Sequence, residues 1–208
     1  MSVEIRDVAD GLWIWRQRHP AWREGFDWEP FVNSVAVRSQ GVALVLDPLA
    51  PPPHEADAWA RLDAFAPQHV VILKPDHVRD VDLFARRYGA RPHGPYLFWR
   101  DDIPECELEP LEPGDVLPGG LLACHDGRGK METPLYLPEH RTLVFADALT
   151  APGGVLRVWA TPWHQERALP GLRGLLELRF EHVIVAHGEP LHGRADFEAA
   201  LERAPWSG

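Results

Sequence analysis

With 208 residues, 45% of them hydrophobic, and a formal net charge of -10, the chain is long enough to bury a sizeable core. It is too acidic for nucleic acid or an anionic membrane surface to be an expected partner. No apolar run is long enough to cross a bilayer and the N-terminus has no secretory pattern, so a cytoplasmic protein is expected.

Leu12 to Arg16 (LWIWR) alternates as a strand does, and the aromatic, acidic stretch from His19 to Pro30 reads as a loop. Phe31 to Arg38 and Val42 to Leu46 read as two strands joined at Ser39-Gln40-Gly41. The second runs into Asp47-Pro48 and must leave the sheet there. His54 to Phe65 carries Trp59, Leu62 and Phe65 at helical spacing. Val70 to Leu73 is a short apolar run ended by Lys74-Pro75-Asp76. Val78, Val81, Ala85 and Tyr88 then recur at helical spacing. This predicts a buried strand, a polar loop and a helix, with Asp76 as its cap. The loop offers a Lys, an Asp, a His and an Arg at the C-terminal end of a buried strand, where open α/β sheets place their chemistry.

Arg91 to Trp99 is expected to be a short strand with an aromatic end, and Asp101 to Pro113 an acidic surface loop. One or two strands follow over Asp115 to Ala123, then a polar loop, Asp126 to Glu132. Pro134 to Leu137 and Thr142 to Phe145 read as a second hairpin, ended by Asp147. Ala168 to Leu178 is a helix weakened by two glycines, His182 to Ala186 a strand ending at His187-Gly188, and Arg194 to Arg203 a closing helix. No linker interrupts the series, so residues 1–208 are read as one domain, two half-sheets with helices outside them.

Three polar residues stand just past buried strands: His77, Asp147 and His187. Imidazole and carboxylate are standard ligands for zinc, iron or manganese, although each residue alone is more often a cap or turn residue. His125, His164 and His192 are weaker candidates for the same cleft. Trp22 and Trp28, in the loop after the first strand, could wall a pocket or bury a homodimer contact. Cys106 and Cys124 have no metal-ligand spacing. Only Lys74 and Lys130 among the 21 basic residues are lysines.

Three pieces of the chain together resemble the metallo-β-lactamase-fold superfamily. They are the hairpin ending in Leu46-Asp47-Pro48, the hairpin LPEHRTLVFADAL (Leu137 to Leu149), and HVIVAHGEP (His182 to Pro190). The resemblance covers Gly11 to Leu201. It implies an α/β fold, a four-layer αββα sandwich, with Asp147 as the bridging aspartate and His187 as the late histidine ligand. The central motif departs from the family's His-x-His-x-Asp-His. With His77 in the second His position, Pro75 replaces the first His, Arg79 the Asp and Asp80 the last His. The middle-loop histidine is also replaced: Arg128 or Lys130 falls near it, and His125 is the only substitute.

The resemblance therefore implies a hydrolase homologue with a degenerate site, and two forms of that site. In one, a single zinc, iron or manganese ion is held by His77, Asp147, His187 and Asp80. In the other there is no metal, Arg79 pairs with Asp147, and the cleft binds an anionic small molecule, as a binding or scaffold protein would. Asp147, His77 and Arg79 are the catalytic candidates; Lys130, Arg128, Trp22 and His125 are the candidates for substrate contact.

Overall fold

Successive side chains on a strand point to opposite faces, and in this chain both faces of the main strands are apolar. Leu12 and Ile14 enter one core, while Trp13 and Trp15 enter another. The computed structural model describes residues 3–99, 101–127 and 132–208. The first sheet takes its strands in chain order: β1 (Glu4–Ala9), β2 (Leu12–Arg18), β3 (Phe31–Ser39), β4 (Val42–Leu46), β5 (His69–Val71), β6 (Arg91–Gly94) and β7 (Glu109–Pro110). Pairing is antiparallel up to β4 and parallel from there on. Helix α1 (Ala56–Phe65) connects β4 to β5, and α2 (Val81–Tyr88) connects β5 to β6.

The second half contributes β8 (Val116–Leu117), β9 (Leu121–Ala123), β10 (Leu135–Leu137) and β11 (Thr142–Phe145). A small ladder follows, β12 (Leu149–Thr150) with β13 (Arg157–Val158), then α3 (Leu169–Gly174), β14 (His182–Val185), β15 (Leu191–Gly193) and α4 (Arg194–Glu202). Its main sheet has the order β15-β14-β11-β10-β9-β8. Only β11 and β14 pair in parallel.

Three cores follow from these faces. Between the sheets lie Leu12, Ile14, Val35, Leu44, Leu46, Leu73, Leu135, Val144 and Ile184. Outside the first sheet, Val45, Val70 and Ile72 meet Leu62 and Phe65 of α1 and Val81 and Phe84 of α2. Outside the second, Phe145, Val183 and Val185 meet Leu169 and Leu172 of α3 and Phe197 and Leu201 of α4. The result is helix, sheet, sheet, helix, the expected four-layer sandwich. Among the described residues no helix is long and apolar enough to cross a membrane.

Several elements differ from the sequence expectation. β1 is an additional edge strand, too polar in its exposure pattern to read as one, joined to β2 through Asp10-Gly11 with Gly11 at φ +74°. β15 is likewise additional. Helix α2 starts at Val81 with Asp80 at its N-cap, and Asp76 does not cap it, because its carboxylate is taken by Lys74. The strand from Arg91 ends at Gly94, and Tyr96, Leu97 and Trp99 lie exposed beyond it. The expected helix over Ala168 to Leu178 is α3 preceded by a π-helical turn (His164–Ala168) and followed by a 3-10 turn (Leu175–Glu177).

The two sheets are tied at one end by Asn33. Its backbone N–H donates to Ala186 O (2.9 Å), and its side-chain amide donates to Val185 O (2.8 Å) and Gly188 O (3.3 Å). Asn33 is 2% exposed, so water cannot replace these bonds. Asn33→Ala is expected to lower stability by about 1–3 kcal/mol, as for a lost buried hydrogen bond, measured by urea denaturation. An unchanged unfolding midpoint would show that the tie carries no energy.

Candidate active site

The residues of the site stand at the C-terminal ends of β4, β5, β11 and β14, which the layering brings to one edge of the sandwich. Past β4, Asp47 turns at φ +43° and is buried. Its Oδ1 accepts the Leu73 N–H (2.8 Å), which ties it to the segment leaving β5. Its Oδ2 lies 2.8 Å from His77 Nδ1. That leaves His77 Nε2 facing Asp147 Oδ1 at 3.4 Å, with His187 Nε2 3.1 Å from the same oxygen. The other oxygen, Asp147 Oδ2, is 2.6 Å from Lys74 Nζ, which also touches Asp76 Oδ2 at 2.5 Å.

Two devices fix the backbone here. Glu132, 2% exposed, accepts the N–H groups of Ala146 (2.9 Å), Asp147 (2.7 Å) and Ala148 (2.6 Å), which holds the turn that carries Asp147. Gly188, next to His187, has φ +85°, and a Cβ there would meet Ala151 O at 2.1 Å, so only glycine fits.

The charges are strongly coupled. Burial alone would lower the His77 pKa, but Asp147 and, less strongly, Asp47 override it against the opposing Arg79 and raise it to about 9. Burial alone would raise Asp147, yet His77 and the hydrogen bond from His187 hold it well below the usual carboxylate range. For His187, burial outweighs Asp147 and lowers the pKa. Lys74 is raised: the pull of Asp147 and Asp76 exceeds the cost of burial.

Above this floor opens a cleft of about 670 Å³, walled by Trp28, Trp159, Trp163 and His19. The rings of Trp28 and Trp159 both meet His187 edge-on, at 5.0 and 6.3 Å between centroids. His19 packs edge-on against Trp28, and its Nδ1 accepts the Ala21 N–H (3.2 Å). Burial, then Arg79, lower its pKa to about 4, so near neutral pH it is an uncharged imidazole that carries its proton on Nε2.

The donor set fits one metal ion. Ligand atoms of His77, Asp147 and His187 lie within 4.8 Å of one another. Metal bonds of about 2.0–2.2 Å in tetrahedral array put neighbouring ligand atoms about 3.3–3.6 Å apart. The observed separations from Asp147 Oδ1 to the two Nε2 atoms are 3.1 and 3.4 Å. Asp47 on His77 Nδ1 supplies the carboxylate that commonly orients a metal-binding imidazole. His187 has no such support: its Nδ1 is buried without a hydrogen-bond partner among the described residues.

Comparison with solved structures returns metallo-β-lactamases over nearly the whole chain. FIM-1 from Pseudomonas aeruginosa, in its mono-zinc form, superposes with a TM-score of 0.70 at 16% identity, covering 97% of this chain and 94% of that one. The enzyme from Hirschia baltica gives 0.67 at 15%, covering 97% of each chain. That from Erythrobacter litoralis gives 0.68 at 14%, covering 97% of this chain and 95% of the other. The chain has the metallo-β-lactamase fold. No protein-family model and no curated protein sequence matches it.

Within the metallo-β-lactamase fold, the structure gathers His77, Asp147, His187 and Arg79 around the cleft, together with Lys74, Asp76 and Trp28, which the sequence also singled out. It does not join Arg79 to Asp147. Among the described residues Asp147 is met by Lys74, His77 and His187, while Arg79, at φ +45°, donates to the carbonyls of Asn33 (3.0 Å) and Asp47 (2.6 Å). Asp80 is turned away from the cluster, and its Oδ2 accepts the Ala50 N–H (2.6 Å). His125 lies exposed outside the cleft, its Nδ1 accepting the Gly127 N–H. Trp22 is not a wall of the cleft either. It sits behind, donating from Nε1 to Trp28 O, and Trp28 is the wall. His164 and His192 are buried away from the cleft lining. Lys130 and Arg128 lie outside the described residues.

Sequence reasoning passed over His19, Trp159, Trp163 and Glu132. Glu132 carried a signal in being a carboxylate at the end of a polar loop just before an apolar strand. The others sit in loops with no pattern of their own.

His77 gives the protein a pH dependence with a definite sign. Its pKa is raised from 6.5 to about 9, so its stabilisation is complete below pH 6.5 and is lost as pH rises through 9. The effect is on the order of 3 kcal/mol. In chelator, the melting temperature is expected to fall from pH 6.5 to 9, and His77→Gln should flatten that slope. An equal slope in the variant would assign the titration to another group.

Proposed function

We propose that this is a hydrolase working on small carbonyl compounds, with one divalent metal ion held by His77, Asp147 and His187. The observation that carries this reading is the convergence of two imidazole Nε2 atoms on one Asp147 oxygen at tetrahedral-edge distances, with Asp47 already holding the far side of His77. The metallo-β-lactamases that share the fold, one of them in a mono-zinc form, support the same reading.

When bound, the ion supplies Lewis-acid polarisation of the substrate carbonyl. The chain's own residues do the rest. Asp47 holds His77 Nδ1 and so presents Nε2 to the cleft. Lys74 neutralises the Asp147 oxygen that faces away from the histidines. Trp28, Trp159 and Trp163 cover the cleft and exclude water from the apolar part of a ligand. His19, uncharged near neutral pH, offers an Nε2–H to a substrate oxygen.

The contact between Lys74 and Asp147 favours a second reading, a metal-free cleft that binds an anion on Lys74 and protonated His77. Elemental analysis separates the two. Protein purified without a histidine tag and dialysed against zinc or manganese is expected to retain about one ion per chain. His187→Ala should retain less than half of that. No bound ion in the wild type would sink the hydrolase reading in favour of the anion-binding one.

A further inference from the structure

Asp147 uses its two oxygens for different partners. Oδ1 faces the imidazoles of His77 and His187, at 3.4 and 3.1 Å. Oδ2 faces the ammonium of Lys74 at 2.6 Å. Lys74 is held from its other side by Asp76 Oδ2 at 2.5 Å, and its side chain is only 12% exposed. It is therefore neither a flexible surface lysine nor an ordinary exposed ion pair. It is a cation seated between two carboxylates, inside the cleft lining.

The residue type suits that seat. Of 21 basic residues only Lys74 and Lys130 are lysines, the rest being arginines. A guanidinium is a flat fork that asks for paired acceptors in one plane, whereas an ammonium is a compact point charge that fits between separate carboxylate oxygens. Arg79, the other cation of the loop, is occupied with the carbonyls of Asn33 and Asp47.

We propose that the Lys74 ammonium is a built-in cation on the Oδ2 side of Asp147, where it competes with metal and limits the cleft to the single ion that the Oδ1 side can hold. The limit to one ion rests on the single-metal reading above; the competition does not. A divalent ion near Asp147 meets a fixed positive charge a few ångströms away. It must also share a carboxylate that is already half neutralised, so removing the charge strengthens ion binding.

The test is the zinc affinity of wild type, Lys74→Met and Lys74→Arg, measured by competition with a chromophoric chelator. Methionine keeps the stem and removes the charge. The expected result is zinc binding at least tenfold tighter in Lys74→Met than in wild type, or zinc bound by Lys74→Met where wild type binds none. Lys74→Arg, which keeps the charge, should stay within a few-fold of wild type. Equal or weaker binding in Lys74→Met overturns the proposal. So does tightening in Lys74→Arg equal to that in Lys74→Met, since bulk rather than charge would then be responsible. Should Lys74→Met not fold without zinc, the comparison is made on protein refolded with zinc and then titrated with chelator. Failure to recover folded protein with zinc present also overturns the proposal. The wild-type affinity reports separately on the single-metal reading.

Discussion

Two carboxylates at the ends of facing sheets, Asp47 buried and Asp147 largely so, set the terms for everything around them. A buried carboxylate without positive partners costs several kcal/mol, so the surrounding chain must bring charge or hydrogen-bond donors to each. Asp47 is met by the Leu73 N–H and by His77, and Asp147 by His77, His187 and Lys74. His77 is shared between them, and so the two sheets are joined through one imidazole. Asn33 makes a further connection between the sheets, within the same edge. The site is in this sense part of the sandwich's closure as well as a feature laid on its rim.

The layering depends on little more than alternation. Leu12 and Ile14 inward with Trp13 and Trp15 outward is enough to put β2 between two cores, and many residue choices satisfy that pattern. This explains how the fold persists at 16% identity to a structure covering nearly its full length. It also explains why β3, β4, β10 and β11 could be read from the sequence almost to the residue. The edge strands β1, β7 and β15 could not. β1 alternates too weakly in hydrophobicity, and β7 is two residues held by its neighbour's ladder rather than by its own pattern.

The site was legible where chemistry coincides with a strand end. His77, Asp147 and His187 each follow a buried apolar run, and the fold brings all three within ligand distance of one another. The choice of cation was not legible. Lys74 and Arg79 are five residues apart in one loop, and spacing alone cannot tell which reaches Asp147. The positive φ of Arg79 and two backbone carbonyls decide it, turning the guanidinium aside while the lysine stands closer to the strand end. The aromatic walls were half legible. The loop after β2 was recognised for its tryptophans, but Trp22 supports Trp28 rather than facing the cleft.

The position of His187 between Trp28 and Trp159 gives the site an optical voice of its own. Indole emission responds to the charge and ligation of an imidazole in ring contact. Events at His187 are therefore written into the intrinsic fluorescence of two of the chain's nine tryptophans, with no label and no substrate required. The cleft thus carries its own readout for screening ligands.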